Sequence, residues 1–311
     1  MGEAHVVCEN GKDHTGSDGD RSSKNSLWYE EELGKGLKWT YSVSRVLHRG
    51  TSAYQDIALL ETGPFGKVLL LDGKMQSAEA DEYVYHEALV HPALLSHPDP
   101  QNVFIMGGGE GSTAREVLKH KSVKKLVMCD IDEEVVSFCR AHLAANRETF
   151  QNKKMDVIIS DARMQLEATS CKFDIIIGDL ADPIEGGPCN QLYTKSFYQT
   201  VVKSKLRDGG IFVTQAGPAG ILSHMDVFSS VHDTLKQVFR YVIPYATYIP
   251  SYSDVWGWVM ASNTQFGCQS AAEVDSNIKL RLSDHSLKFL DGTTYTGMCT
   301  LNKRQRQMLH V

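Results

Sequence analysis

Three short motifs, each directly after an aliphatic run, constrain the fold of this chain more than any other feature of its sequence. They are GGGEGS at residues 107–112, CDID at 129–132 and GDLADP at 178–183. Near-continuous aliphatic strands that alternate with helices are typical of a parallel sheet covered on both faces. Ligands bind such sheets at the carboxyl ends of the strands, where all three motifs lie. The pattern therefore predicts an α/β fold with a Rossmann-like parallel sheet and a ligand site along one edge.

Composition and strand pattern divide the chain into three parts. Residues 1–25 are polar and rich in glycine and serine, so we expect them to form a disordered tail. Residues 26–80 alternate in short strands, with a hairpin at Asp72-Gly73, and predict a small N-terminal antiparallel β domain. Residues 81–311 alternate between strands and helices and predict the nucleoside-binding, Rossmann-like catalytic domain.

Within the larger part, three further elements follow from local spacing. Residues 80–95 predict a helix that leads into the second domain, with Pro92 as a kink or a stop. Residues 221–239, ILSHMDVFSSVHDTLKQVF, predict one continuous helix. The run VWGWVMAS at 255–262 predicts a late strand.

Composition excludes several classes of function. The formal net charge of −6 argues against wholesale nucleic-acid binding and is compatible with cationic small substrates. Seven cysteines without a CxxC pair predict reduced thiols, and hence a cytoplasmic location, rather than a disulfide framework. No apolar run approaches the roughly 18 residues of a membrane span. The twelve histidines show no ligand spacing, so no metal site is predicted.

The glycine-rich motif favours a sulfonium nucleoside over a dinucleotide. A strict dinucleotide motif would need glycine at position 112, where Ser112 stands. Gly107, Gly109 and Gly111 instead fit the GxGxG of nucleosyl-methionine binders, which use a methyltransferase-type sheet. Glu110 would repel a pyrophosphate and attract an ammonium group. A purely structural turn and a NAD site are the alternatives for a lone glycine-rich turn.

Acids end the strands that follow. Asp130 can chelate two ribose hydroxyls, although Asp130 and Asp132 can also cap the next helix. Asp161 stands where an adenine amine is usually met, with a helix cap again as the alternative. Asp179 and Asp182 can bind an alkylammonium, remove one proton and orient the lone pair toward an electrophilic carbon. Acids beside a proline are also ordinary turn residues.

Taken together, these residues resemble the spermidine synthase family of aminopropyltransferases. The resemblance runs from about Trp28 to at least Met260 and includes LDGKMQSAEADEYVYHE at 71–87, the three motifs and YIPSY at 248–252. It implies transfer of an aminopropyl group from decarboxylated S-adenosylmethionine, a co-substrate, to a polyamine, with methylthioadenosine as the second product. It further implies a homo-oligomer, either a dimer or a tetramer, and no separate cofactor.

The resemblance also implies a role for individual residues. Asp179 would be the catalytic proton acceptor. The nucleoside donor would be bound by Gln55, Gln76, Tyr85, Glu110, Asp130, Asp161 and Ala162, with Tyr85 between the two substrates. The acceptor amine would be bound by His86, Asp182 and Tyr252.

Several positions depart from the usual spermidine synthase pattern. Spermidine synthases usually carry aspartate in place of Glu110, glutamate in place of Asp130 and glutamine in place of His86. Their DSSDP is GDLADP here, followed by EGGPCNQLYTKSFY at 185–198. These departures resemble the plant branch of the family that forms thermospermine and extends spermidine rather than putrescine.

Other functions stay open at this point. A spermidine or spermine synthase is the nearest alternative, because residue spacing does not decide which end of spermidine is extended. A small-molecule methyltransferase is the second, because the same sheet and glycine loop serve both reactions. A polyamine-binding or sensing module without catalysis is the third, and the presence of Asp179 argues against it.

Overall fold

The computed structural model describes residues 6–8, 27–183, 189–267, 270–283 and 286–311. By their contacts the residues divide into two compact units, Met1–Glu82 with Pro250–Ser253 and Tyr83–Ile249 with Asp254–Val311. Apart from 6–8, the tail predicted at 1–25 lies outside the described residues. The predicted division into domains at 26–80 and 81–311 stays a prediction. Within the described part, no helix is long and apolar enough to span a bilayer.

The first unit contains a six-stranded antiparallel sheet in which each strand pairs with the next along the chain. Its strands are β1 (Val6–Cys8), β2 (Leu27–Gly34), β3 (Leu37–Thr51), β4 (Asp56–Thr62), β5 (Gly66–Leu71) and β6 (Lys74–Ala78). The core of this sheet includes Tyr29, Leu60 and Val68. The predicted N-terminal antiparallel β structure is therefore confirmed.

The hairpin predicted at Asp72-Gly73 joins β5 to β6. Asp72 and Gly73 have φ angles of 48° and 72°, and Leu71 pairs with Lys74 across them. Positive φ at both central residues matches the twist of the flanking strands, and aspartate and glycine tolerate it. Local sequence chemistry thus accounts for the position of this turn.

The second unit contains a seven-stranded sheet. Its strands are β7 (Asn102–Gly107), β8 (Lys125–Asp130), β9 (Met155–Ile159), β10 (Phe173–Asp179), β11 (Leu206–Pro218), β12 (Tyr241–Ile249) and β13 (Asp254–Ser262). The order is β12-β13-β11-β10-β7-β8-β9, and the five strands from β11 to β9 run parallel. The Rossmann-like sheet is confirmed, with the addition that β13 pairs antiparallel with both β11 and β12.

Helices connect and flank these strands. They are α1 (Glu82–Ser96), α2 (Ser112–Leu118), α3 (Glu133–His142), α4 (Ala162–Ala168), α5 (Lys195–Phe197), α6 (Lys203–Lys205), α7 (Phe228–Lys236), α8 (Ala271–Arg281), α9 (Gly292–Cys299) and α10 (Lys303–Leu309). One π turn, Tyr198–Val202, connects α5 to α6.

The helix α1 does not stop at Pro92, contrary to one of the two predicted outcomes. It continues to Ser96, whose hydroxyl donates to the carbonyl of Pro92 at 2.7 Å. Arg281 donates to the carbonyls of Leu94 and Leu95 and so satisfies the end of the helix. An interior proline costs about 3 kcal/mol, and burial of nearly the whole helix offsets that penalty.

The helix predicted over 221–239 is shorter than its spacing indicates. Helix α7 begins only at Phe228, and the residues before it form turns. Ser223 donates its hydroxyl to Asp254 at 2.6 Å, and a Cβ at Gly220 would collide with the same carboxylate. The prediction for residues 221–227 was therefore wrong, and the contact with Asp254 is a case of tertiary context overriding a local helical preference.

Candidate functional site

The glycine-rich loop between β7 and α2 brings the backbone against the end of β10. Gly107 has a φ of 76°, and a Cβ there would lie 2.2 Å from the carbonyl oxygen of Asp179. Gly111 has a φ of 89°, and a Cβ there would lie 2.7 Å from the ring of Phe150. Only glycine fits both the conformation and the space. The loop therefore places Glu110 and the start of α2 beside the strand ends.

Asp130 ends β8 and holds the glycine loop through its carboxylate. Its Oδ2 accepts the backbone N–H of Gly109 at 2.9 Å, and its Oδ1 accepts that of Asp132 at 2.9 Å. Burial raises the pKa of Asp130, and the nearby charges of Asp132 and Asp179 act in the same direction. The cap of α3 is Asp132, whose Oδ1 accepts the N–H of Val135. The cap alternative thus applies to Asp132, while Asp130 lies at the strand end.

Asp161 caps α4, as its alternative interpretation required. Its Oδ1 accepts the backbone N–H groups of Arg163 at 2.7 Å and Met164 at 3.3 Å. Ala162, the first residue of that helix, is buried. A cap does not exclude a ligand contact by the second carboxylate oxygen, and the role of Asp161 toward an adenine stays a prediction.

Asp179 is held from both sides by hydroxyl groups. The hydroxyl of Tyr85, on α1, donates to its Oδ1 at 2.8 Å, and that of Thr113, on α2, donates to its Oδ2 at 2.6 Å. The backbone N–H of Gly108 donates to the carbonyl of Asp179 at 3.1 Å. Two helices and the glycine loop therefore meet at this residue, and both donors to the carboxylate are neutral.

Thr113 is a site residue that the sequence analysis missed. Its side chain is fully buried. In the sequence, the only signal of its role is that a hydroxyl residue directly follows the glycine motif. The first turn of the helix after such a loop faces the strand ends, where the acids lie. That placement could have indicated a contact with one of the acids, but not which one.

Asp182 is oriented by a buried amide on β11. Gln215 donates through Nε2 to Oδ1 of Asp182 at 3.1 Å and to the carbonyl of Leu180 at 2.7 Å. The Gln215 Oε1 in turn accepts the N–H of Gly217 at 2.7 Å. Sequence reasoning also missed Gln215, which appears in the sequence as one polar residue in an aliphatic strand. Residues 184–188, which follow this loop, lie outside the described residues.

Tyr85 and His86 are adjacent buried residues near the start of α1. The two rings lie edge to face with centroids 5.0 Å apart, and the ring of Trp258 lies 5.7 Å from that of Tyr85. Trp258 is completely buried and also stacks on Tyr245. It therefore supports Tyr85 as part of the core.

Three predicted site residues lie in the first unit. The hydroxyl of Tyr252 donates to the carbonyl of Gln76 at 2.6 Å, so the structure brings these two together. Gln55 precedes β4, where its carbonyl accepts the N–H of Ser52 at 2.9 Å. The backbone next to Tyr252 is held by Asp81, whose carboxylate accepts the N–H of Ser251 at 2.7 Å. The other predicted residues lie in the second unit.

Two family models match this chain. The model described as spermine/spermidine synthase domain matches residues 82–271, and the one described as spermidine synthase tetramerisation domain matches residues 27–79.

Individual relatives and solved structures agree with the family models. The chain is 58% identical to thermospermine synthase ACAULIS5 of Arabidopsis thaliana over 276 residues, 89% of this chain and 81% of that relative. It is 44% identical to polyamine aminopropyltransferase 2 of Hyperthermus butylicus, over 86% of this chain and 87% of that relative. A crystal structure of spermidine synthase in complex with the transition-state analogue AdoDATO superposes with a TM-score of 0.84 at 27% identity, covering 94% of this chain and 98% of the other.

Proposed function

Because the chain belongs to the spermine/spermidine synthase family, we propose that it transfers an aminopropyl group from decarboxylated S-adenosylmethionine to spermidine, forming thermospermine and methylthioadenosine. The resemblance inferred from the motifs is confirmed, and the chain is an aminopropyltransferase. The methyltransferase and the non-catalytic sensor, which were the more distant alternatives, are thereby set aside. The similarity to a thermospermine synthase supports spermidine as the acceptor.

The setting of Asp179 is the observation that carries the proposed mechanism. A polyamine ammonium with a lysine-like pKa near ~10.4 must lose a proton before it can attack, at a cost of about 4–5 kcal/mol at pH 7. The donors to Asp179 are the hydroxyls of Tyr85 and Thr113, which orient the carboxylate without neutralising it. Its negative charge can therefore attract the ammonium group, and one oxygen can accept the proton.

The displacement then proceeds in line. The amine nitrogen forms a bond to the methylene carbon next to the sulfonium, the carbon–sulfur bond breaks, and a neutral thioether leaves. Both electrons of the new bond come from the amine, and the proton goes to Asp179. This sequence balances without an oxidant or reductant, and its leaving group is neutral and develops no negative charge to stabilise, so we propose no separate cofactor and no metal.

The other site residues receive the roles that the resemblance implies. We propose that the donor is bound by Gln55, Gln76, Tyr85, Glu110, Asp130, Asp161 and Ala162, and the acceptor by His86, Asp182 and Tyr252. The position of Asp130 at the end of β8, directly against the N–H of Gly109, supports a ribose contact. The amide of Gln215 supports Asp182 by holding one of its oxygens in place.

We further propose a homo-oligomer in the cytosol. The match of residues 27–79 to a tetramerisation domain supports the assembly. Buried free thiols at Cys129 and Cys139 are consistent with a reducing compartment.

The acceptor decides between the proposed activity and its nearest alternatives. Spermidine carries one more cationic nitrogen than putrescine, and a charge-assisted contact is worth roughly 1.5–3 kcal/mol. We therefore expect a preference of about tenfold or more for spermidine. The neutral pair Leu180-Ala181 between the two acids, in place of two serines, is the feature that motivates a longer and less polar channel.

The test incubates the purified chain with decarboxylated or ordinary S-adenosylmethionine and a panel of putrescine, spermidine and spermine. Mass spectrometry identifies the product class, and chromatography against thermospermine and spermine standards identifies which end of spermidine was extended. Thermospermine from the decarboxylated donor is the expected product. A preference for putrescine would contradict the acceptor assignment, and methylated products from ordinary S-adenosylmethionine would contradict the whole proposal.

A further inference from the structure

One buried side chain without an assigned role is bonded to the glycine loop. Asn146 lies in the 3₁₀ turn Ala144–Asn146, which follows α3, and is 1% exposed. Its Nδ2 donates to the carbonyl of Glu110 at 3.0 Å and to Oγ of Ser112 at 2.8 Å. Its Oδ1 accepts from Nη1 of Arg115 at 2.7 Å. Both hydrogens and the oxygen of the amide are therefore in use.

These contacts determine the direction of the hydrogen bond between Ser112 and Glu110. Arg115 can only donate, so the amide oxygen of Asn146 must face it and the amide nitrogen must face the loop. Ser112 Oγ accepts from that nitrogen, and its own proton is directed to Oε1 of Glu110, 2.5 Å away. The Glu110 carboxylate is thus oriented by a hydroxyl whose own direction is determined by Asn146.

A buried ion cluster holds the other end of this chain of contacts. The guanidinium of Arg115 donates through Nε to Glu116 at 3.0 Å. Glu116 is buried and also contacts Lys119 at 2.7 Å and His91 at 3.1 Å. Arg115 is therefore confined by a carboxylate that cannot move toward solvent, and Asn146 is confined with it.

We propose that Ser112 and Asn146 are positioning residues that hold the Glu110 carboxylate in the direction that receives the amine of the nucleoside donor. The inference rests on the proposed function, in which Glu110 meets that amine. Glutamate has one more rotatable bond than the aspartate that spermidine synthases usually carry at this position. Binding through a freely rotating carboxylate would have to order that bond, whereas a carboxylate already oriented avoids this loss.

The test compares two ligands that differ in the amine. Methylthioadenosine shares the nucleoside with decarboxylated S-adenosylmethionine but lacks the aminopropyl group. For Ser112→Ala we expect the KM of the donor to rise about three- to tenfold, the range for one hydrogen bond. The inhibition constant of methylthioadenosine should stay within about twofold. A role of Ser112 in loop structure alone would weaken both ligands equally and would overturn the inference.

Three further variants make the test specific. Asn146→Ala should give the same selective loss, and its unfolding midpoint checks that it folds; Ser112→Ala decides the question if it does not. In a Glu110→Gln background, Ser112→Ala should have no additional effect on the ratio of the two constants, and an additive loss would overturn the coupling. Ser229→Ala is the matched control, because this buried serine donates to the carbonyl of His224 on a different element. It should leave the ratio unchanged.

Glu110→Gln separates failure of the inference from failure of the proposed function. It should weaken the donor and spare methylthioadenosine. Equal losses for both ligands would remove Glu110 from the amine site, and the proposed role would fail together with the inference. A selective loss in Glu110→Gln combined with no selective loss in Ser112→Ala would overturn the inference alone.

Discussion

Glu116 and Asp179 are two acids of the same unit that are held in opposite ways. Glu116 is buried among Lys119 at 2.7 Å, Arg115 at 3.0 Å and His91 at 3.1 Å. Asp179 is held by the uncharged hydroxyls of Tyr85 and Thr113. Removing one member of a buried ion cluster is costly because it leaves the other charges unpaired, whereas the charge of a carboxylate held by neutral donors is not matched by a protein cation.

Asp130 follows the second pattern. Both of its oxygens accept backbone N–H groups, those of Gly109 and Asp132. Burial raises the pKa of Asp130. Burial also acts to raise the pKa of Glu116, but the hydrogen bond and charge of His91, with the charges of Lys119 and Arg115, lower it well below its usual value. Ionisation is thus favoured by the fold at Glu116 and disfavoured at Asp130.

The largest expected effect is on stability. Glu116→Gln leaves the guanidinium of Arg115, the ammonium of Lys119 and His91 without their anion, so the free energy of unfolding should fall by about 3–5 kcal/mol. Urea denaturation measures it. Glu148→Gln, at an exposed position, is the control and should change the value by less than about 0.5 kcal/mol. If Glu116→Gln loses no more stability than the control, the folded state does not depend on the charge of Glu116, and the contrast with Asp179 fails.

The corresponding change at the site should affect turnover instead. Asp179→Asn keeps the shape of the side chain but cannot accept the proton, so kcat should fall by at least ~100-fold. Binding of methylthioadenosine and the urea midpoint should change little. Near-normal turnover, measured as thermospermine formed per enzyme, would remove Asp179 from its proposed role.

A smaller effect is expected where a neutral donor is removed. Thr113→Val keeps the shape of Thr113 but deletes its hydrogen bond to Asp179, and kcat should fall about tenfold because that bond is charge-assisted. Thr113→Ser retains the hydroxyl and should recover most of the loss. If the serine variant is as slow as the valine variant, Thr113 acts through packing and not through the carboxylate.

The smallest effect is on the pH dependence of stability, and its sign differs between the two kinds of acid. The folded-state pKa of Asp130 is raised above 3.8. Its contribution to the free energy of unfolding is therefore fully present below that value and is lost as the pH rises through the folded-state pKa. The folded-state pKa of Glu116 is lowered from 4.5. Its contribution to the free energy of unfolding is therefore fully present above that value and is lost as the pH falls toward the folded-state pKa.

Urea unfolding of ligand-free protein from about pH 3 to about pH 7 tests both signs. Relative to the wild type, Asp130→Asn should gain stability as the pH rises. Glu116→Gln should lose stability relative to the wild type over the same rise. Curves that shift in the same direction would show that the two carboxylates are not held in opposite ways.

Local patterns predicted the parts of the site that depend on near neighbours in the sequence. The aliphatic runs before residues 107, 130 and 179 end in the sheet where expected, because the strands of a buried parallel sheet are recognisable from composition alone. Asp72-Gly73 specified its hairpin because both residues tolerate a positive φ. These are the features in which a residue's conformation follows from its own chemistry.

Distant contacts account for what was missed. Thr113 meets Asp179 across 66 positions of sequence, Asn146 meets Glu110 across 36, and Gln215 meets Asp182 across 33. Nothing in the local pattern of a threonine, an asparagine or a glutamine indicates a partner so far along the chain. The same limit explains the error at residues 221–227, where the contact of Ser223 with Asp254 decided the conformation.

The sequence by itself determined the α/β architecture, the order of acids at the strand ends and the family of the chain, because hydrophobic period and short motifs encode them locally. Only the tertiary structure decided how Asp179 is held, because the hydroxyls of Tyr85 and Thr113 come from two helices that are distant from it in the sequence. At Glu116, two of the cations, Arg115 and Lys119, are near neighbours in the sequence, and the packing of another helix adds His91. The groups that pack against a carboxylate set the free energy of its charge, and with it the division between acids paired with buried cations and acids that serve the reaction.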